Sequence, residues 1–162
     1  LIDPLVIQMD HVPPGLADKK IKFDLDLDGN LDDMSVPRAG SGFLVFDRNG
    51  NGQIDDGSEL FGPQSGHGFS ELRELDSDGN GWLDENDEAF SSLQIWSMDD
   101  NGDMHLQGLI AADVGAIYLA SVSSEFKLTD SAFDQNGQLR ESSVVMKESG
   151  GVSTIHEVDI LV

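Results

Sequence analysis

No cysteine occurs among the 162 residues, so disulfides and thiolate metal sites are both excluded. That absence suits a cytosolic protein and equally a secreted bacterial one, and it does not fix a compartment. Basic residues are scarce too: nine Lys and Arg stand against 31 Asp and Glu, a formal net charge of −22. Binding to nucleic acid or to an anionic membrane needs Lys/Arg surfaces, and neither partner is expected here. No apolar run approaches the roughly 20 residues needed to span a bilayer, so membrane insertion is not expected either. The chain begins at Leu1 with no Met and no signal peptide, and it reads as a fragment of a longer protein.

What is present is acid gathered into short Gly-rich loops. Self-repulsion at −22 opposes a compact state unless something offsets it. Calcium takes six to eight oxygens from Asp, Asn, backbone carbonyls and water. A 12-residue loop wraps it with side chains at positions 1, 3 and 5 and Gly at 6. Position 7 offers a carbonyl, position 8 an apolar anchor, and positions 9 and 12 close the sphere.

Four segments meet this pattern to different degrees. The first has Asp24, Asp26 and Asp28 at positions 1, 3 and 5, Gly29 at 6, Asn30 at 7, Leu31 at 8 and Asp32 at 9. Its position 12 is Ser35, a poor ligand. In the second, Asp47, Asn49, Asn51, Gly52, Gln53, Ile54 and Asp55 follow in the same register, with Glu59 closing one residue late. The third is the most complete: Asp76, Asp78, Asn80, Gly81, Trp82, Leu83, Asp84 and, at position 12, Asp87. The fourth has Asp99, Asn101 and Asp103, with His105 offering a carbonyl, but Met104 replaces the Gly and Ile110 stands at position 12. Three calcium sites and a degenerate fourth are expected. Asp, Asn and Gly also make ordinary turns. Three loops that also carry an apolar residue at position 8 argue for more than turns.

Asp24 and Asp47 stand 23 residues apart, Asp47 and Asp76 29, and Asp76 and Asp99 again 23, which reads as duplication of a loop pair. A 23-residue step leaves about 11 residues between loops, too few for two ordinary helices. Strands are therefore expected to enter some loops. Apolar or alternating runs predict strands over 4–9, 19–23, 42–46, 94–96, 116–119 and 125–129. Helical spacing appears over 69–75, a capped helix is predicted over 85–93 with Asp84 and Asp87 as its capping box, and a short helical stretch over 109–114. Asn136-Gly137 is a turn signal, and a long hairpin should fold around Gly150-Gly151. The expected fold is α+β in a single domain over 1–162. Residues 1–120 form a calcium-loop lobe, and 121–162 a C-terminal β meander.

The stretches GFLVFDRNGNGQIDDGSELFG and ELRELDSDGNGWLDENDEAFSSLQIW resemble the EF-hand-like calcium-binding region found beside repeats in RTX-type bacterial proteins. The resemblance implies a place in a large secreted or cell-surface protein, calcium loading outside the cell, and neighbouring domains as partners. Some relatives are self-processing modules that cut an Asp-Pro bond at their N-terminal edge, and Asp3-Pro4 followed by Leu5 stands at the matching place. Gln8-Met9-Asp10-His11 then replaces the acidic run such modules carry. The expectation is therefore a non-enzymatic, calcium-stiffened module, with cleavage at Asp3-Pro4 as the alternative. The four His residues are scattered and do not suggest zinc. Trp82 and Trp96 read as core or loop anchors.

Overall fold

The computed structural model describes residues 2–10, 14–129 and 135–160. Eleven strands and one short helix run through these residues in chain order: β1 (Leu5–Gln8), β2 (Leu16–Phe23), β3 (Asp32–Pro37), β4 (Ser41–Phe46), α1 (Gly68–Arg73), β5 (Trp82–Asp84), β6 (Leu93–Met98), β7 (Met104–Gly108), β8 (Val114–Tyr118), β9 (Val122–Thr129), β10 (Gln135–Lys147) and β11 (Val152–Ile160). Nine strands form one sheet in the order β5-β8-β10-β11-β1-β4-β6-β7, with β9 also on β10, and the sheet curls into a half-barrel. β2 and β3 make a separate two-stranded ribbon.

The fold is thus mostly β, and the α+β expectation is wrong. Two predicted helices cause the error. Over 85–93 the chain makes successive tight turns, Asp87 N–H to the Asp84 carbonyl (2.9 Å) and Phe90 N–H to the Asp87 carbonyl (3.2 Å), and then enters β6. The capping-box bond itself exists, since Asp84 N–H donates to Asp87 Oδ2 (3.0 Å), but only a single 3-10 turn at Phe90–Ser92 follows it, not an α-helix. The stretch 109–114 is likewise a turn, closed by Val114 N–H on the Leu109 carbonyl (2.8 Å). Asn136-Gly137 does not make a turn. It lies inside β10, where the register against β9 slips between Gln135 and Gly137, as at a bulge. His11, Pro13 and Val162 lie outside the described residues.

Both faces of the sheet are covered, as near-continuous apolar strands such as LVIQ and SGFLVF require. On one face Leu5, Ile7, Leu44, Ile95, Ile117, Val145 and Ile155 pack with Phe61 and with Phe69 and Leu72 of α1. On the other, Val6, Phe43, Val45, Val158 and Ile160 meet Leu16, Phe23, Met34 and Val36 of the β2–β3 ribbon. The single sheet holds strands from both halves of the chain: β1 lies between β4 and β11, with Val6 opposite both Phe43 and His156.

Candidate metal loops

Each acidic segment sits where a strand or helix ends, but the four are joined differently. The first is the loop of the β2–β3 hairpin, with Phe23 paired to Asp32. The fourth is the loop of the β6–β7 hairpin, with Met98 paired to Met104. The second connects β4 to a 3-10 turn at Gly57–Glu59, and the third connects α1 to β5. In connectivity the first loop resembles the fourth, and the second resembles the third. A duplicated pair would match first with third, so the even spacing does not mark a structural repeat.

Inside the loops the short Asp and Asn side chains fold back on the backbone. Asp76 Oδ1 accepts from Gly79 N–H (3.0 Å) and Oδ2 from Gly81 N–H (2.9 Å), Asp78 Oδ1 from Asn80 N–H (3.2 Å), and Asn80 Oδ1 from Trp82 N–H (2.8 Å). The second loop repeats this bond for bond: Asp47 takes Gly50 and Gly52, Asn49 takes Asn51, and Asn51 takes Gln53. In the first, Asp24 takes Asp28 and Gly29, Asp26 takes Asp28, and Asp28 takes Asn30. Positions 4 and 6 are left-handed in all three. Position 4 is Gly50 or Gly79 in the middle loops but Leu27, at φ 64°, in the first.

The middle loops are closed by buried carboxylates. Asp87 accepts Ser77 N–H on Oδ1 (2.8 Å) and Asp84 N–H on Oδ2. Glu59 accepts Arg48 N–H on Oε1 (3.1 Å) and Asp55 N–H on Oε2 (2.8 Å). Both therefore tie loop position 2 to position 9, and both are only 3% exposed. The extra methylene of Glu59 offsets its place one residue later. Each oxygen that accepts one N–H keeps a second lone pair for a cation. Asp55 gathers the second loop further, accepting Asn49 Nδ2 (2.8 Å) and Asn51 Nδ2 (2.7 Å).

Two groups of carboxylates converge with oxygens within 4.8 Å of one another: Asp24, Asp26 and Asp28, and Asp76, Asp78 and Asp87. Ligands about 2.3–2.6 Å from one calcium lie at most about 5 Å apart, so both groups fit that ion, and their all-oxygen character suits a hard cation. The second loop lacks the matching triad because Asn49 fills position 3, where the third loop has Asp78. Backbone N–H groups hold Asp28 and Asp76 below the usual carboxylate range, those of Asn30 and Gly81 contributing most. Burial raises Asp78. Asp84 Oδ1 turns to Asn86 N–H, outside the triad. Asp32 and the fully buried Ser35 belong to β3, and Leu31 is 62% exposed rather than an anchor, whereas Leu83 is fully buried.

In the fourth loop side-chain nitrogens meet the loop oxygens. Asp99 Oδ1 accepts Asn101 and Asp103 N–H, and Oδ2 meets His105 Nε2 at 2.5 Å. The His105 ring thus joins the loop, besides the carbonyl the sequence suggested. The Asp103 N–H and then His105 pull Asp99 below its ordinary range. Lys19 Nζ, from β2, donates to the Gly102 carbonyl (2.8 Å). The signal for this in the sequence is Met104, already a strand residue at the position where the other loops need Gly.

The family model of the SPM domain matches residues 8–160, nearly the whole chain. The chain belongs to the SPM domain family. Over 83 residues this SPM domain is 39% identical to "Iron-regulated protein FrpA" of Neisseria meningitidis serogroup C, a match that takes in 46% of the chain and 7% of that relative. The chain thus spans a small share of the relative's length. Among the described residues no helix is long and apolar enough to cross a membrane.

Proposed function

We propose that this SPM domain is a calcium-binding structural module, folded and stiffened by three calcium ions and working as one segment of a larger extracellular or cell-surface bacterial protein. The observation that carries the reading is the third loop, where Asp76, Asp78 and the buried Asp87 bring their oxygens within one ion's reach. Asp24, Asp26 and Asp28 supply the first site. Asp47, Asn49, Asn51, Asp55 and Glu59 supply the second. The fourth loop is left unloaded. Calcium bound in the first three loops offsets the net charge that otherwise opposes folding. Extracellular modules work with dissociation constants of roughly 10⁻⁴–10⁻³ M, which millimolar calcium outside cells satisfies. Calorimetric titration of the metal-free chain tests this; three bound ions are expected, and no heat of binding at millimolar calcium would sink the proposal.

The second reading, calcium-triggered cleavage at Asp3-Pro4, is favoured by how that peptide is held. Val158 N–H donates to the Pro4 carbonyl (3.0 Å), and the Asp3 carbonyl packs against Gly62 so closely that a Cβ there would lie 2.0 Å from its oxygen. The Asp3 carboxylate would attack its own carbonyl carbon, forming a cyclic anhydride as the C–N bond breaks and Pro4 nitrogen takes up a proton; water then opens the anhydride. Gln8-Met9-Asp10 after the bond argues the other way, and the module reading stands first. With a tag upstream of Leu1, mass spectrometry after calcium addition decides: no fragment ending at Asp3 is expected, and one that disappears in Asp3→Ala makes the chain an autoprocessing enzyme.

A further inference from the structure

Away from the loops, the antiparallel register of β1 on β11 crowds carboxyl groups onto one face of the sheet. Ile2 bridges Ile160 and Leu5 pairs with Glu157, so Asp3 falls opposite Asp159 and diagonal to Glu157. On the far side of β11, Glu141 of β10 lies directly opposite Glu157. Four carboxyls from three adjacent strands therefore meet, and Glu157 and Asp159 are buried, 4% and 3% exposed. Like charges directly opposite one another destabilise a sheet, and buried charges need partners.

Two of the four are provided for. Arg140, in the bulge of β10, donates to Asp159 (2.7 Å). Ser121 Oγ donates to Glu141 (2.9 Å). Glu157 is left with the Asp3 carboxyl as its diagonal neighbour, and two carboxyls bond each other only when one of them carries a proton. Glu71 of α1 lies behind the Asp3 carbonyl, its carboxylate already taken by Gly62 N–H. His156 faces the opposite side of the sheet by strand alternation, bonded to Ser142 (2.5 Å).

We propose that Asp3 and Glu157 hold one proton between them, and that this shared proton latches the segment Ile2–Pro4 onto β11. The latch goes beyond the calcium reading and rests on neither function proposed above. Burial, then the bond to Asp3 and the nearby carboxylates, push Glu157 from its ordinary 4.5 up to about 8. The sign follows: between about 4.5 and 8 the folded chain keeps a proton that the unfolded chain has released, so this pair favours folding less as pH rises through that window. Above it Glu157 loses that proton, and the segment before β1 is repelled. The bonds at stake are Ile160 N–H to the Ile2 carbonyl (2.7 Å) and Val158 N–H to the Pro4 carbonyl (3.0 Å).

The test is amide hydrogen exchange on the full chain in calcium buffer from pH 6 to 9.5, corrected for the intrinsic pH dependence of exchange, alongside a carbon-13 titration of the Glu157 carboxyl. The carboxyl is expected to titrate near pH 8, and protection of the Ile160 amide to fall at least tenfold above that point while amides of β6 stay protected. In Glu157→Gln, neutral at every pH, Ile160 should remain protected to pH 9.5. Asp3→Asn, at the more exposed member of the pair, carries the same expectation should the Gln variant fail to fold. A Glu157 carboxyl titrating near 4.5, wild-type protection unchanged through pH 9.5, or equal loss in the neutral variants would each overturn the latch.

Discussion

The two outer loops and the two inner ones begin with nearly the same residues and end differently. Asp24 and Asp99 open loops whose flanking strands pair with each other, Phe23 with Asp32 and Met98 with Met104. In a hairpin the chain has turned back by the time it reaches position 12, so that residue lies along the returning strand, away from the loop. Ser35, in β3, is where this leaves the first loop. The chain after Asp47 and Asp76 does not pair with its own entry inside the loop; in the second loop Leu60 bridges Val45 only after the closing Glu59. It goes on through tight turns, and these return Glu59 and Asp87 beneath their loops to bridge positions 2 and 9. Closure of an acidic loop is therefore decided by what the chain does after the loop, more than by the Asp and Asn within it.

The broadest test of this comparison removes the metal from all loops at once. Each site filled to a hundred times its dissociation constant adds about 2.7 kcal/mol, so three sites add roughly 8 kcal/mol, comparable with the whole stability of an ordinary domain. Excess chelator should lower the melting temperature by tens of degrees or abolish the transition, and magnesium should rescue poorly because it prefers small, water-rich octahedral sites. A melting curve unmoved by chelator would remove the basis for comparing the loops as metal sites.

A sharper test sets one inner loop against one outer loop. Asp76→Ala should cost one bound calcium in calorimetry. Asp99→Ala should leave the number of bound ions unchanged, because His105 and Lys19 already serve that loop. Equal losses would mean that the fourth loop binds after all. Smaller still, Glu59→Gln and Asp87→Asn keep shape but remove the buried charge and set an amide NH2 against one of the two backbone N–H groups each carboxylate accepts. Each should weaken calcium binding at its own loop by about tenfold, some 1.4 kcal/mol, and leave the others alone. The smallest effect is expected at Leu27, the one side chain in a left-handed position that the inner loops give to Gly. Leu27→Gly should raise thermal stability by about 0.5 kcal/mol, since relief of the left-handed strain exceeds the added freedom of the unfolded chain.

The acidic loops were legible because their signal is local: Asp-x-Asp/Asn-x-Asp/Asn-Gly needs only its own backbone to fold back on. Strands such as GFLVF were legible from continuous apolar character. β3 was missed, since DDMSVP has neither strict alternation nor an apolar run and pairing to β2 makes it a strand, and β7 was missed although Met104, His105, Leu106 and Gln107 alternate, because that stretch reads as part of the fourth acidic loop. The helix expected over 85–93 failed for an instructive reason. Asp87 forms half of a capping box with Asp84, but its other oxygen is committed to Ser77, ten residues earlier, and that long-range bond suits a turn better than a helix. Asn136-Gly137 gave a true local signal, an irregularity of the backbone, which the sheet absorbs as a bulge. The meeting of Asp3 with Glu157 could not be read at all, because only the closure of β1 on β11 brings them together.

That closure also sets an order of events in time. β1, the first strand made, ends in the interior of the sheet, and one of its two neighbours is β11, the last. A chain delivered from its N-terminus, whether from a ribosome or through a secretion pore, has all four acidic loops outside before the strand that completes the sheet emerges. Until Val152–Ile160 follows, β1 presents an open edge beside β4. On the calcium reading proposed above the loops would be gathered early, but the half-barrel is finished only when β11 slots in beside β1. Non-local pairing of this kind is slow to form, so a chain that has not yet released β11 leaves the half-barrel ajar along β1.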